Sequence, residues 1–483
     1  MIEYTHIKLL IRGYIMKNPI VRISSLTLEN IKNVRKGTIC IPETNNTGKS
    51  FKAGVLGIYG QNGSGKTAVI DALCFLQQVM IGAELDPEFI DYIDSEMDHA
   101  EIAAEFLIYD EDIFYEVGYH VQLVKTDSKI CISREFLDCA VTQNGNRSKK
   151  NKFMDYCRSE SNSIFKPIKR FNELIEENKS LMVDLIVAKK MAERSNCSYI
   201  FGESSREIFD RCNDENKSSF QNYASIILCL FRFALKDLFV IRNTHSGMIT
   251  ANFVLPMAFR VEKDQMGMKG DFAIPLTTPV TLEKERKDLL DIIIDQINSV
   301  LYTIIPGMRI EVRNYGKQAL DTGEDGWKIE LMSIRQNHKP LPIRMESEGI
   351  IKIISILNAL IQAFGNPSIC LAIDELDAGI FEYMLGELLD IFQNNAKGQL
   401  IFTSHNLRAL EMLNKESVMF STTNPRNRYI HMRNVKGSNN MRSMYIRSIT
   451  LGGQSEVIYE ETDSLEIARA FRKAGRRVRD GQR

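Results

Sequence analysis

Eight residues, Gly60-Gln61-Asn62-Gly63-Ser64-Gly65-Lys66-Thr67, fit the phosphate-binding pattern G-x-x-x-x-G-K-[ST] at every fixed position. Glycines at these places let backbone N–H groups close around a phosphate at a helix N-terminus, where the dipole is positive. Lys66 can then reach the β- and γ-phosphates, and the Thr67 hydroxyl can hold Mg²⁺. Residues 48–50, Gly-Lys-Ser, end like a second such loop, but the glycine needed five residues earlier is Glu43. That stretch reads as a polar turn.

Two adjacent carboxylates, Asp374 and Glu375, end the apolar run Ser368-Ile369-Cys370-Leu371-Ala372-Ile373. Such a pair at a strand end is common by itself. Beside a phosphate loop it suits Mg²⁺-assisted attack of water, with Asp374 on the metal and Glu375 polarising the water. Leu376-Asp377-Ala378-Gly379 follows directly. The next apolar run ends in Thr403-Ser404-His405, and His405 could donate a hydrogen bond to a γ-phosphate. Upstream, Glu346-Ser347-Glu348-Gly349 opens an apolar helix over 350–364, and a serine and a glycine there make another phosphate-ready helix end. Asp321 to Gly326 imitates the start of an EF-hand loop, but its twelfth position is Met332 rather than the required glutamate, so a solvated hairpin turn is expected.

The elements that must position these residues follow from hydrophobic periodicity. Residues 54–59 read as a buried strand before the loop, and 68–76 as the helix after it. Strands are expected at 21–28 and 37–42, and an antiparallel meander at 102–109, 114–124 and 129–136, with turns at 110–112 and 126–128. Residues 1–138 therefore read as one mixed lobe around the phosphate loop. Residues 139–300 are charge-rich, with runs at 173–179 and 203–217, and are expected to be a helical insertion. It should carry an apolar helix at 223–240, a return strand at 249–261 and a helix at 282–301. Residues 301–420 hold strands at 309–313, 327–334 and 341–345 and the second group of motifs. A small extension, 421–483, should contain strands at 428–433, 444–450 and 456–459. It should close with an amphipathic helix capped by Asp463 or Ser464 and a basic tail of Arg472, Lys473, Arg476, Arg477, Arg479 and Arg483, most simply a solvated end.

With 44% hydrophobic and 25% charged residues over 483 positions, the composition is that of a globular protein with ample core. A net charge of −1 gives no overall field to attract DNA or membrane, so any such surface must be local. Nine cysteines without a C-x-x-C pair argue against zinc and a disulfide framework and suit a reducing cytosol. The first residues lack the signal-peptide order of regions, and the best membrane candidate, 226–241, is broken by Arg232, Lys236 and Asp237. No membrane association and a cytoplasmic location are expected.

As an ordered set, these motifs resemble the nucleotide-binding head of ABC-type ATPases, in the branch shared by SMC proteins, OLD-type proteins and defence-island "AAA" ATPases. The resemblance covers about residues 21–138 and 300–410. It implies an α/β fold, an ABC-type P-loop ATPase head with a mixed core sheet, an antiparallel N-terminal β lobe and a helical insertion. It makes 60–67 the Walker A loop, 369–375 the Walker B strand, Ser347 and Gly349 the signature motif, Asp377 the D-loop and His405 the switch histidine. It further implies ATP and Mg²⁺, hydrolysis to ADP and phosphate, and a homodimer or higher oligomer sharing ATP between subunits. Ser347-Glu348-Gly349 departs from the L-S-G-G-Q of transporters, which argues against a transporter subunit. Gln77 and Gln78 come too early for the family's Q-loop. The 78 residues after His405 are too few for the Toprim nuclease of OLD proteins. Size, modest insertion and missing nuclease are most similar to the ATPases of PARIS anti-phage systems, then those of Septu. That implies a separate nuclease effector and a phage trigger protein, with nucleic acid a possible ligand. A DNA-repair or DNA-organising SMC-like ATPase is the alternative, and it would predict a basic groove and long coiled-coil arms.

Overall fold

Short aliphatic runs without a polar face fold as strands buried on both sides, and five of them build the centre of this chain. In the computed structural model the core sheet runs Tyr429–Ile430, Val418–Ser421, Gly54–Tyr59, Gln399–Thr403, Cys370–Ile373, Leu238–Ile241. All neighbours are parallel except the edge strand Tyr429–Ile430. Ile58 lies beside Thr403, and Phe402 beside Ile373, so three strands end level at one edge of the sheet. Ligands of open parallel sheets bind beyond such C-terminal ends. The structure describes residues 16, 19–42, 51–126, 129–160, 163–175, 180–214, 220–251, 253–263, 266–320, 322–433 and 440–480. The lead-in before residue 16, the turn holding Gly48-Lys49-Ser50, Asp127-Ser128, parts of both charge runs, Asp321 and Arg483 lie outside the described residues, as do the side chains of Arg476, Arg477 and Arg479.

The strand Leu238–Ile241 corrects the expectation of one helix over 223–240. The helix is Gln221–Arg232, followed by a π-helical turn Phe233–Asp237 and then the strand. Four apolar residues carry no period that separates strand from helix, and pairing with Cys370–Ile373 decides the matter.

The expected meander forms part of a seven-stranded antiparallel sheet: Val34–Cys40, Ile20–Ile31, His99–Asp110, Ile113–Lys125, Ile130–Gln143, Asn146–Arg147, with Asn151–Cys157 also on Ile130–Gln143. Strand structure thus continues well past residue 138, and the first described helix after it begins at Ile168. Phe153, Met154 and Tyr156 are buried while Lys152 and Asp155 are not, so charges on the open face had hidden the strand. Further strands, Val254–Lys263, Met266–Pro275 and Val280–Leu282, also fall inside the stretch 139–300, which is therefore part helix and part sheet. Asp325–Ile334 pairs with Arg309–Ala319 as a hairpin, at the turn where a solvated loop was expected. Leu341–Pro342 is a two-residue strand that passes into a 3₁₀ turn at Ile343–Met345, shorter than the strand expected over 341–345.

Helix Lys66–Met80 lies in the core shared by the antiparallel sheet and the parallel strands, burying Val69, Ile70, Leu73 and Leu76. On the other side, helices Glu348–Gly365 and Glu382–Asn395 bury Ile353, Ile356, Leu385 and Leu389 against Leu371, Ile373 and Leu400. Glu348–Gly365 is long and apolar enough to cross a membrane by length and composition, and 67% of its apolar window is buried in protein. The two lobes are joined by polar contacts: the Gln399 side chain pairs both ways with the Ile23 backbone at 2.9 and 2.7 Å. Arg22 donates to the carbonyls of Lys397 at 2.7 Å and Lys52 at 3.1 Å.

In the extension, residues 444–450 were expected as strand but lie in helix Met441–Leu451, N-capped by Asn440. Residues 456–459 are irregular rather than a strand. The helix Ser464–Asp480 is capped by Asp463, whose Oδ1 accepts from the Leu465 N–H at 2.7 Å.

Candidate functional site

The loop 60–67 joins the strand Gly54–Tyr59 to the helix Lys66–Met80, in the strand–loop–helix order the pattern requires. Gly65, the residue before the helix, sits at φ 87°, and no side chain caps the first turn, which leaves that helix end to a ligand. A Cβ at Gly60 would fall 1.9 Å from Ser421 Oγ, so a side chain there would have to displace that hydroxyl. Lys66 is 6% exposed, and its ammonium donates to the carbonyls of Gly60 at 3.0 Å and Gln61 at 2.9 Å. Burial pushes its pKa down, while Asp374, Glu375 and Asp377 pull the other way.

Level strand ends bring the second group of motifs to this loop. Thr67 Oγ1 lies 3.3 Å from Asp374 Oδ1 across 307 residues of sequence. Two neighbouring oxygens on an octahedral Mg²⁺ stand about 3 Å apart, so the pair fits one metal ion. Among the described residues no group of three or more His, Cys, Asp or Glu forms a metal cluster. An ion here would take its remaining ligands from phosphate and water, as Mg²⁺ prefers.

Glu375 follows in the left-handed backbone region at φ 48°, which costs a non-glycine residue roughly 1–2 kcal/mol. Several contacts hold it there. Its N–H donates to Thr403 Oγ1 at 2.7 Å, the Leu376 N–H donates to the Thr403 carbonyl at 3.0 Å, and the Ala378 N–H donates to the Glu375 carbonyl at 3.0 Å. The same carbonyl accepts from the Lys352 ammonium. Backbone strain maintained this way clusters at functional sites.

Asp377 Oδ2 accepts from the His405 N–H at 3.0 Å, whereas its Oδ1 is buried with no hydrogen-bond partner. A buried carboxylate oxygen left unpaired marks a place where a further donor belongs. Burial and then the Lys66 cation push the His405 imidazole below its ordinary pKa, against Asp377, Glu375 and Asp374. The ring is therefore neutral near pH 7 and can present one N–H.

Ser347 stands at the N-cap position of helix Glu348–Gly365 with an extended backbone and no side-chain capping bond, and it is exposed. Gly349 has an explanation within its own chain: a Cβ there would sit 1.9 Å from the Gly379 carbonyl oxygen. The first turn of the helix thus packs directly, at Gly349 on Gly379, against the loop that follows Asp377.

Sequence reading missed several supports of the loop. Tyr429 OH donates to the Gly65 carbonyl at 2.6 Å, Asn33 donates to that of Gly63, and Ser421 Oγ donates to the Tyr59 carbonyl at 3.1 Å. The Gln61 side chain accepts from the Glu460 N–H at 2.9 Å and donates to its carbonyl at 3.4 Å. These partners lie up to 399 residues from the loop and carry no local motif. Lys352 did leave a signal, as the one charged residue of helix Glu348–Gly365 after its first position.

No protein-family model matches the chain, and no curated protein matches it. Among solved structures it is similar to an Smc head domain with a coiled coil and joint derived from Pyrococcus yayanosii, at 14% identity and TM-score 0.40, covering 88% of this chain and 99% of that one. It is similar to an Smc head domain from Pyrococcus furiosus bound to the C-terminal domain of ScpA, at 14% identity and TM-score 0.39, covering 85% and 96%. It is also similar to the recombination mediator protein RecF with ATP, at 11% identity and TM-score 0.32, covering 80% and 94%. The strand order, the phosphate loop, the carboxylates one strand beyond its neighbour and the antiparallel lobe packed on the loop helix make the chain an α/β fold with a phosphate-loop motif at the C-terminal edge of its parallel core sheet.

Proposed function

We propose that the chain binds ATP with Mg²⁺ and hydrolyses it to ADP and phosphate, as the oligomeric sensor and scaffold of an anti-phage defence system. The observation that carries the ATPase reading is the 3.3 Å approach of Thr67 Oγ1 to Asp374 Oδ1 beside a buried Lys66. In this reading the backbone of residues 60–67 cradles the phosphates, Lys66 neutralises the β/γ oxygens, and Thr67 and Asp374 hold Mg²⁺. Bound Mg²⁺ supplies charge neutralisation on the β- and γ-phosphates. Glu375 orients the water and accepts its proton as the oxygen bonds to the γ-phosphorus and the bond to the β,γ-bridging oxygen breaks. His405 donates to the γ-phosphate. By the resemblance of the motif order, Ser347, Gly349 and Asp377 would meet a neighbouring subunit's nucleotide, so the working unit in this reading is a homodimer or larger, acting in the cytoplasm.

Equilibrium nucleotide binding tests this reading. Lys66→Ala is expected to lose ATP while keeping its fold, and wild-type affinity in that variant would remove the phosphate-loop assignment. The defence role draws on the similarity of the motif order to PARIS and Septu ATPases, with a separate nuclease effector held until a phage protein triggers it. Phage challenge of cells carrying the chain with its neighbouring genes checks it: protection should vanish with Lys66→Ala.

One feature favours a second reading, an SMC-like ATPase that binds DNA. The described side chains of helix Ser464–Asp480 are exposed apart from half-buried Ala468, and they include Arg469, Arg472 and Lys473. Duplex binding that weakens steeply with salt and disappears when these three are changed to glutamine would favour it.

A further inference from the structure

Lys352 is a cation in the second turn of helix Glu348–Gly365, flanked by Ile350, Ile351, Ile353 and Ile354 and 4% exposed. A buried ammonium persists only where it is paired, and this one donates to the main-chain carbonyl of Glu375. Burial pushes its pKa down, against the favourable charges of Asp377, Glu375, Asp374 and Glu348. It stands five residues after Ser347 on the same helix, whose first turn is locked to the Asp377 loop where Gly349 meets Gly379.

We propose that Lys352 is a positioning residue that fastens the backbone of Glu375 to the N-terminal turns of helix Glu348–Gly365. Two independent contacts join that helix end to the carboxylate strand, the Lys352 hydrogen bond and the glycine-on-glycine packing, so the two move as one piece. Glu375 in turn keeps its left-handed conformation through donors on its carbonyl and an acceptor for its N–H. Any ligand that shifts the Ser347 end therefore shifts Glu375. Resting on the ATPase reading, this extends it: the helix end that meets a neighbour's nucleotide also sets the water-activating group of its own subunit.

The test compares full-length wild type, Lys352→Met and Lys352→Arg in thermal unfolding, equilibrium Mg·ATP binding and steady-state turnover. Lys352→Met keeps length and loses the donor; it is expected to lower kcat at least ~10-fold while Kd and KM stay within ~2-fold, and Lys352→Arg should restore most of the loss. Where the Met variant does not fold, Lys352→Gln replaces it in the same comparison. Turnover within ~2-fold of wild type in the folded Met or Gln variant overturns the proposal, as does a loss of kcat matched by an equal loss of nucleotide affinity, which reports a merely structural lysine. A wild-type chain that binds ATP without turning it over overturns the ATPase reading itself, and this inference with it.

Discussion

Thr403 donates its hydroxyl hydrogen to Asp374 Oδ1 at 2.6 Å, one strand across the sheet. Thr403 Oγ1 in turn accepts the Glu375 N–H, so one side chain sets both carboxylates. Thr403→Val keeps the shape, leaves the Glu375 N–H without its acceptor and leaves Asp374 Oδ1 only the longer bond from Thr67. It is expected to cost about 1–3 kcal/mol in denaturant unfolding and to slow hydrolysis, with Thr403→Ser close to wild type. Unchanged stability and turnover in the valine variant would remove this role.

Glu375→Gln should bind ATP normally and hydrolyse it at least ~10²-fold more slowly, since the phosphate contacts remain and the proton acceptor is lost. Single-turnover kinetics with measured nucleotide occupancy check this. Near-wild-type turnover would move the catalytic role elsewhere.

The shared-site arrangement is best probed at Ser347 rather than at Gly349. Any side chain at Gly349 strikes the Gly379 carbonyl of its own chain, so Gly349→Asp would disturb the fold before it met a neighbour's phosphate. Ser347 is exposed, and aspartate serves equally well at a helix N-cap. Ser347→Asp should fold and bind ATP, yet lose ATP-dependent association and hydrolysis through like-charge repulsion. Mixing it with Lys66→Ala subunits should restore part of the activity. Mixed assemblies with none would favour a self-contained site.

His405 gives the pH dependence a definite sign. Its pKa in the folded chain lies below the ordinary 6.5, so the unfolded chain binds this proton more readily. The group costs nothing above 6.5, and it removes stability as pH falls through that value toward the folded pKa. Between about pH 7.5 and 5.5 the unfolding midpoint of wild type should therefore fall further than that of His405→Gln. Equal slopes would show that folding leaves the ring's pKa unchanged.

The sequence alone determined the elements whose signal is local. The strand and helix on either side of the loop 60–67, and the 370–373 strand ahead of the two carboxylates, were legible because each is a short apolar run with polar or glycine residues at its ends. The meander over 102–136 was legible because each strand has one dry face. What only the tertiary structure decided depends on contacts distant in sequence. Leu238–Ile241 becomes a strand through Cys370–Ile373, and residues 444–450 take up helix in place of the expected strand. Gly349 is required by Gly379, Lys352 finds Glu375, and Gln61 finds Glu460 399 residues away. Pairing and close packing of this kind are set by which surfaces meet after folding, and a residue's own neighbours in the chain hold no record of them.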